Sequence, residues 1–421
     1  MIIEIRAKNC FAFEDQISIS MKADMRNKKF SSNVYTEKNF NVLKTIGIYG
    51  ANNSGKTCII KCIRSIKNVL LQERSVIRDN IFTDSSISEL GITFLLNGNK
   101  YSYDFKYDTR EEEFIYEKFI EITKDTYGNE KDNIVFLKDC VNEKYEYEDE
   151  DLKKMIPLIS KSDLLFYQMD VSKFKDLQKI KTILREIANK IEIIDMNNIP
   201  MKKTIEMMKN KNKLQDKVVG LIKNADLYLE DFKFLDWDEI EIDDVDEENN
   251  IQEKVLNLPD SVKDYIRLAS VYKGVTVPSM GFDSTGTKKI TALASYIIES
   301  LEEGKVLVVD ELDSSIHFKL TRAIVAMFNN ELNKKSQLIF TVHDINLMDC
   351  KRLLRKEQIW FVHKDTDGFY LYSLAEFTAE KGVRDTSDII EKYKKGLLAA
   401  IPEPEFINTL IDISEDNKNE R

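Results

Sequence analysis

The residues best suited to chemistry lie in the stretch GIYGANNSGKTCII, which begins at Gly47. Gly50, Gly55, Lys56 and Thr57 fit the pattern G-x-x-x-x-G-K-[ST]. In such a loop the backbone N–H groups cradle phosphates, the lysine reaches the outer phosphates, and the threonine hydroxyl ligates Mg²⁺. The residues predicted to bind phosphate or its metal ion are Gly50, Asn52, Asn53, Ser54, Gly55, Lys56 and Thr57.

The residues on either side of this loop predict a strand before it and a helix after it. Residues 45–49 form an apolar run, and Ile59, Cys62, Ile63 and Ile66 recur at helical spacing. Strand, loop and helix in that order are the context in which the pattern binds phosphate. The alternative is a glycine turn that opens an ordinary helix. The pattern with its context predicts that the chain binds a nucleoside triphosphate.

A second set of chemical groups follows the apolar residues of VLVVDE, which begins at Val306. Asp310 and Glu311 lie at the predicted carboxyl end of this strand, where ligands bind in open α/β sheets. Asp310 is predicted to hold Mg²⁺ through water, and Glu311 to orient and polarise the attacking water. The alternative is a buried strand that ends in charged residues.

Two further motifs resemble those of ABC-type ATPases. Ser284 and Gly286, in DSTGTKK, lie 26 and 24 residues before Asp310 and are similar to the signature motif, which contacts the γ-phosphate held by the other subunit. His343 lies 33 residues after Asp310 and is similar to the catalytic switch histidine of that superfamily. For His343 the alternative is a core histidine at a strand end. The resemblance implies a homodimer with shared sites for ATP and Mg²⁺.

Five segments together resemble the bacterial AAA/ABC-like ATPases of the abortive-infection group. The segments are IGIYGANNSGKT, DSTGTKK, VLVVDELDSSIH, QLIFTVHDINLMD and QIWFVHKD. That group includes the ATPase part of OLD-type nucleases and the ATPase subunits of the PARIS and AbiL phage-defence systems. The resemblance extends to about Ile401 and is loose between Gln72 and Tyr272. His317 lies where transporter heads carry an aspartate, and YKKGLLAAIP departs from the Gly-Arg of relatives.

This resemblance implies an ATPase that acts as sensor and scaffold in anti-phage defence and controls a separately encoded effector, with a phage protein as trigger. OLD-type enzymes append a Toprim nuclease domain, whereas 78 residues follow His343 here, so the effector is expected to be a separate Toprim-type nuclease. Asp365 and Asp367 imitate a metal-binding pair, but Asp367-Gly368 between two β-prone runs is better interpreted as a hairpin turn.

Two other functions compete with this interpretation. A DNA-maintenance ATPase of the RecF or SMC kind would act directly on DNA and would carry a long coiled coil or a basic face. The energising subunit of a membrane transporter would be shorter between the phosphate loop and the signature. Binding to nucleic acid is left open by the sequence, and stimulation of hydrolysis by DNA would favour the RecF or SMC interpretation.

Composition indicates a globular protein of the cytoplasm. The 421 residues are 43% hydrophobic and 32% charged, and the net charge of −11 disfavours indiscriminate nucleic-acid binding. No apolar stretch approaches the roughly 18–20 residues that span a membrane, and charges interrupt the first residues where a signal peptide would be apolar. The five cysteines are scattered, which is typical of reduced thiols.

The order of predicted elements indicates an α/β fold: an ABC-type ATPase head with a β-rich lobe, a mostly parallel core sheet flanked by helices, and a helical insertion. We expect residues 1–170 to form one ATPase lobe, 171–255 a helical and acidic insertion, and 256–421 the second lobe. Asn97-Gly98 predicts a hairpin in the first lobe, and Pro200 divides the insertion into short helices.

Two charged segments lie within or beside the insertion. Residues 236–248 hold nine acidic side chains and no basic one, which predicts an exposed segment or, alternatively, a surface for a basic partner. Residues 201–217 hold six lysines against two acids. This lysine-rich segment is interpreted as a solvated helix face, with contact to nucleic acid as the alternative.

Overall fold

The computed structural model describes residues 1–38, 40–73, 76–125, 127–168, 174–211, 213–225, 228–239, 258–365, 368–377, 387–398 and 407. The predicted turn residue Asp367, the acidic residues 240–248 and the tail near Ile401 lie outside these ranges. Within them, no helix is both long enough and apolar enough to cross a bilayer.

The strands, in chain order, are β1 Ile2–Lys8, β2 Ile17–Ser20, β3 Val34–Glu37, β4 Phe40–Leu43, β5 Thr45–Tyr49, β6 Ile87–Leu96, β7 Asn99–Asp108, β8 Glu113–Lys124, β9 Glu130–Asp139, β10 Lys144–Tyr147, β11 Ile191–Asp195, β12 Asp231–Phe234, β13 Leu268–Tyr272, β14 Val275–Pro278, β15 Val306–Asp310, β16 Gln337–Thr341, β17 Ile359–Lys364 and β18 Phe369–Ser373. The helices are α1 Lys56–Leu71, α2 Glu150–Met155, α3 Leu165–Gln168, α4 Lys175–Lys190, α5 Lys202–Lys209, α6 Gln215–Asn224, α7 Asp260–Ile266, α8 Ser279–Phe282, α9 Thr285–Glu303, α10 Phe318–Asn329 and α11 Ile389–Lys394.

A mostly parallel sheet forms the core, as the sequence predicts. Among the described residues its strand order is β11-β15-β16-β5-β17-β18, and only β18 runs antiparallel to its neighbour. The three central strands β15, β16 and β5 are buried at every position, because helices cover both faces of the sheet. The predicted β17–β18 hairpin is confirmed.

Alternate residues of each core strand face different helices. Val306 and Val308 of β15 pack in the cluster that contains α1 and α4, whereas Leu307 and Val309 pack in the cluster that contains α9 and α10. This alternation follows from the two-residue period of a strand. The fold is therefore α/β with two helical layers, and the phosphate loop and the Asp310–Glu311 pair both follow strands of this one sheet.

The β-rich lobe is a long antiparallel sheet. In the described part of the chain its order is β10-β9-β8-β7-β6-β1-β2, and the predicted Asn97-Gly98 turn joins β6 to β7. A fully buried ion pair, Lys138 Nζ to Glu117 Oε1 at 3.0 Å, lies inside this lobe. Glu117 also accepts hydrogen bonds from Tyr103 and from the Leu165 backbone, so its charge is compensated on several sides.

The predicted insertion contains short helices and also a strand that the sequence interpretation missed. Helices α5 and α6 follow Pro200 and pack against α9 and against β12, which belongs to a small sheet of order β12-β13-β14. Residues 191–195, however, form β11, which pairs in parallel with β15 in the core sheet. The expectation of a helical and acidic insertion over residues 171–255 therefore missed β11, whose five residues IEIID follow directly on α4.

Candidate functional site

The phosphate loop connects β5 to α1 in the predicted geometry. Gly50 lies so close to β17 that a Cβ atom there would be 2.3 Å from the Val362 carbonyl oxygen, so no side chain fits. Gly55 occupies the N-cap of α1 and has no side chain to cap the helix. The first N–H groups of α1 are therefore available to an anion.

Two buried polar groups of the loop fit a bound phosphate. The Lys56 ammonium donates to the Gly50 and Ala51 carbonyl oxygens, each at 2.8 Å, so it lies against the loop backbone. Burial lowers the pKa of Lys56, while the nearby carboxylates of Glu311 and Asp310 act in the opposite direction. The Ser54 hydroxyl is buried and has no hydrogen-bond partner among the described residues. Phosphate oxygens would accept from both groups.

Asp310 and Glu311 are both held by Thr341, the last residue of β16. The Thr341 hydroxyl donates to Asp310 Oδ1 at 2.5 Å and accepts from the Glu311 backbone N–H at 2.7 Å. The Asp310 side chain is buried, and Glu311 has a left-handed backbone with φ of 55°. Because β16 lies between β5 and β15, this contact ties the acidic pair to the strand beside the phosphate loop.

Glu311 has a partner that the sequence interpretation did not identify. The Asn197 Nδ2 group donates to Glu311 Oε2 at 2.6 Å, and the Asn197 Oδ1 atom accepts from the Ser314 hydroxyl at 2.8 Å. Asn197 lies in the 3-10 turn that follows β11, where Asp195 caps its backbone N–H. The sequence did contain a signal for Asn197 as a site residue, because it follows an apolar run directly. The signal was missed because the run that forms β11 was interpreted as helix.

His343 lies at the same edge of the sheet, after β16. Its backbone N–H and that of Asp344 both donate to Asp313 Oδ2, at 2.9 and 2.7 Å. Asp313 therefore fixes the loop that carries His343 to the loop that carries Glu311. His343 itself is exposed. Asp313 was not among the predicted site residues.

Ser284 and Gly286 lie at the start of helix α9, with Ser284 as its N-cap. The Ser284 side chain caps the helix by accepting from the Thr287 backbone N–H at 3.1 Å. A Cβ atom at Gly286 would be 2.8 Å from the Ser315 carbonyl oxygen, so glycine permits a close approach to the loop after Glu311. Lys289 extends this contact by donating to Ser314 Oγ at 3.0 Å.

The residue before the signature serine is anchored by three hydroxyl groups. The buried Asp283 carboxylate accepts from Ser270 at 2.7 Å, Ser279 at 2.6 Å and Tyr272 at 2.8 Å. Those donors lie on β13 and α8, so the start of α9 is fixed to the small sheet. Since a carboxylate with three donors needs no cation, this cluster explains why a buried acid is stable here.

The predicted residues thus fall into two groups. The phosphate loop lies at the carboxyl edge of the core sheet together with Asp310 and Glu311. These two carboxylates are close enough to Lys56 to raise its pKa against the larger, lowering effect of burial. In the described part of the chain, no hydrogen bond joins Ser284 or Gly286 to residues 50–57. The exposed Thr57 hydroxyl and the Asp310 carboxylate have oxygen atoms of the kind that Mg²⁺ prefers as ligands. Their role as Mg²⁺ ligands stays a prediction.

Comparison with known proteins identifies a family, and it finds solved structures of low similarity. A family described as "AAA domain, putative AbiEii toxin, Type IV TA system" matches residues 46–349, which is more than half of the chain. No curated protein matches the sequence.

Three solved structures resemble the chain at low identity. The SMC head domain from Thermotoga maritima has 12% identity and a TM-score of 0.41, and the match covers 88% of this chain and 98% of that one. An SmcHead bound to the C-winged helix domain of ScpA has 14% identity and a TM-score of 0.41, covering 88% and 97%. An Smc head with an extended coiled coil, bound to the C-terminal domain of ScpA derived from Pyrococcus furiosus, has 13% identity and a TM-score of 0.40, covering 90% and 97%.

Proposed function

Because the chain belongs to this AAA family, we propose that it binds ATP with Mg²⁺ and hydrolyses it. The observation that carries the proposal is the position of Asp310 and Glu311 beside Lys56, at the edge of the sheet where the phosphate loop opens. A phosphate-binding loop with a neighbouring pair of carboxylates is the arrangement that phosphoryl transfer to water requires.

In this proposal each residue has a separate task. The Lys56 ammonium exchanges its two backbone acceptors for phosphate oxygens, and the Ser54 hydroxyl gains an acceptor. Mg²⁺, when bound through Thr57 and Asp310, neutralises phosphate charge. Glu311 accepts the proton of the attacking water, and Asn197 holds the carboxylate in place through its hydrogen bond. His343 contacts the terminal phosphate.

We further propose that two copies complete each other's sites. Ser284 and Gly286 begin a helix of 19 residues, which makes an anion-binding N-terminus, yet they make no hydrogen bond to their own phosphate loop in the described residues. A two-fold arrangement would bring each signature to the partner's phosphate loop. ATP then joins the two chains, and hydrolysis separates them.

The binding step is tested with Lys56→Ala, which removes the cation but leaves the loop backbone in place. Affinity for ATP, measured by titration calorimetry, is expected to fall by about tenfold or more. Lys61→Ala is the matched control, because Lys61 is an exposed lysine one turn further along α1. Unchanged affinity in Lys56→Ala would contradict the assignment of the loop.

In the cell, we propose that the protein is the ATPase sensor and scaffold of an anti-phage system of the abortive-infection group, similar to the PARIS and AbiL ATPase subunits. It would act in the cytoplasm, respond to a phage protein and control a separately encoded Toprim-type nuclease. The family description, which names a toxin of a toxin–antitoxin system, supports a role in growth arrest. Affinity purification with the product of the neighbouring gene, with and without ATP, tests this proposal.

Ion pairs within the lysine-rich segment, residues 201–217, disfavour direct action on DNA. Within it Lys203 pairs with Glu299 and Glu192, Lys209 with Asp264, Lys217 with Glu302, and Lys202 with Glu206. Four of its six lysines are therefore occupied by carboxylates and do not form an open basic face. Stimulation of ATP hydrolysis by DNA ends, abolished by removing the remaining lysines, would favour the RecF or SMC alternative instead.

A further inference from the structure

A cavity of about 590 Å³ opens at the end of the core sheet opposite the phosphate loop. It lies between the β3–β4 hairpin with its preceding 3-10 turn and the loop that follows α10. Lys44, Lys334 and Lys335 line it, together with the hydroxyl residues Ser31 and Ser32. Its volume is sufficient for a small phosphorylated molecule.

Lys44 is the unusual member of this lining. Lys44 is only 4% exposed, and among the described residues its ammonium donates to one acceptor, the Asn330 carbonyl oxygen at 2.9 Å. An ammonium has three N–H donors, so two remain for a ligand. In the described ranges Lys44 forms no ion pair, although a buried cation is costly without one. Burial, and secondly Lys334, lower the pKa of Lys44 to about 8, against an opposing effect of Glu331.

The charges around the cavity sum to a net positive value. Lys44 and Lys334 face one carboxylate, that of Glu331, so these three groups carry +1 in a chain whose net charge is −11. The side chain of Lys335 packs against Gly304 and its charge acts on Glu302, so it is not counted. Lys334 has no ion-pair partner among the described residues. Like charges gathered around an open volume repel each other, and a bound anion removes that repulsion.

The cavity is separate from the proposed ATP site. Lys44 precedes the first residue of β5, and Gly50 follows the last, so the two positions are at opposite ends of a five-residue strand. At about 3.3 Å per residue, the six steps from Lys44 to Gly50 span on the order of 20 Å. An ATP molecule on the phosphate loop therefore cannot supply the anion for Lys44.

We propose that this cavity binds the phosphate group of a small molecule. Phosphate is favoured over a carboxylate because its higher charge matches the two ammonium groups of Lys44 and Lys334, and lysines bind it as point charges. The Ser31 hydroxyl supplies a further donor, whereas the Ser32 hydroxyl already donates to Asn33 Oδ1 at 3.4 Å. The ligand is free phosphate or pyrophosphate, or the phosphates of a nucleotide. The proposal is independent of ATP hydrolysis, so its failure would leave the proposed function unaffected.

The test uses Lys56→Ala as the background, which weakens phosphate binding at the loop. Calorimetric titration with sodium pyrophosphate is expected to detect one site. Adding Lys44→Met should weaken this binding by about tenfold or more, and adding Lys334→Ala, at an exposed residue, by about threefold or more. Lys223→Ala, at an exposed lysine on α6, is the matched control and should change nothing.

Glu331→Gln is expected to increase the affinity for pyrophosphate, and a misfolded variant would not show such an increase. The substitution raises the net charge of Lys44, Lys334 and residue 331 together from +1 to +2, so pyrophosphate should bind about threefold or more tightly. Among binding that Lys44→Met weakens, a tighter affinity for ADP than for pyrophosphate would identify a nucleotide as the ligand, and the reverse order would identify the free anion. The proposal is overturned if Glu331→Gln and Lys334→Ala both leave the affinity unchanged. It is also overturned if acetate competes as well as phosphate, or if only single-stranded DNA binds.

Discussion

Replacement of Asn197 by alanine tests how Glu311 is positioned. The change removes the 2.6 Å hydrogen bond to Glu311 Oε2 and the contact to the Ser314 hydroxyl, and it leaves the phosphate loop untouched. A hydrogen bond to a charged group contributes about 1.5–3 kcal/mol when it is buried. Since Asn197 is exposed and Glu311 half-buried, we expect about 1–2 kcal/mol.

That free energy corresponds to a decrease in kcat of roughly 5- to 30-fold. The affinity for ATP should change by less than about twofold, because Asn197 contacts Glu311 and no residue of the phosphate loop. Steady-state hydrolysis gives kcat and KM, and calorimetry gives the dissociation constant. Asn198→Ala is the matched control, since Asn198 is an exposed neighbour in the same 3-10 turn.

A double-variant cycle separates positioning from general damage. In a Glu311→Gln background, Asn197→Ala should cause little further loss, because both changes act on the same carboxylate. A fully additive loss would refute the reasoning, as would a parental kcat in Asn197→Ala. A large rise in KM with unchanged kcat would also refute it, since that would place Asn197 in nucleotide binding.

Three further predictions concern other parts of the chain. Asp283→Ala leaves three hydroxyl donors without their acceptor. The free energy of unfolding, measured by urea titration, should fall by about 2–4 kcal/mol. A loss below about 0.5 kcal/mol would contradict the anchoring role of Asp283. Burial lowers the pKa of Lys44 to about 8, below the ordinary 10.5, so between these pH values the unfolded chain binds more protons than the folded chain. The free energy of unfolding, relative to that of Lys44→Met, should therefore rise by about 1–3 kcal/mol as the pH increases from 8 to 10.5. A difference that does not change with pH would contradict this prediction. Neutralising five acids within 236–248 should leave the hydrolysis rate within about twofold, and a collapse would show that the block belongs to the catalytic core.

The sequence was most informative where local pattern and chemistry coincide. The bounds of α1 and α9 follow from helical spacing together with a glycine loop and a serine cap, and both helices occur where these signals predict them. The parallel core strands β15 and β16 were equally visible, because strands buried on both faces are continuously apolar.

The missed features depend on contacts between distant segments. β11 has five residues and follows a lysine-rich helix, so nothing local shows that it pairs with β15. Asn197 was missed with it, because its contact to Glu311 spans 114 residues. Asp313 was visible as an acid, but its role in holding the His343 loop exists only once two strands lie side by side. The division into three domains and the role of residues 240–248 stay predictions.

The central claim, that two chains complete each other's ATP sites, is tested most directly by mixing two inactive variants. Lys56→Ala chains lack a working phosphate loop, and Ser284→Arg chains place a bulky cation where the signature would meet the partner's phosphate. Each variant alone should be inactive. Mixed in equal amounts they should recover hydrolysis, because the heterodimer holds one site with both an intact loop and an intact signature. Parental hydrolysis by Ser284→Arg alone, or no recovery from two folded and mutually binding variants, would contradict the shared site.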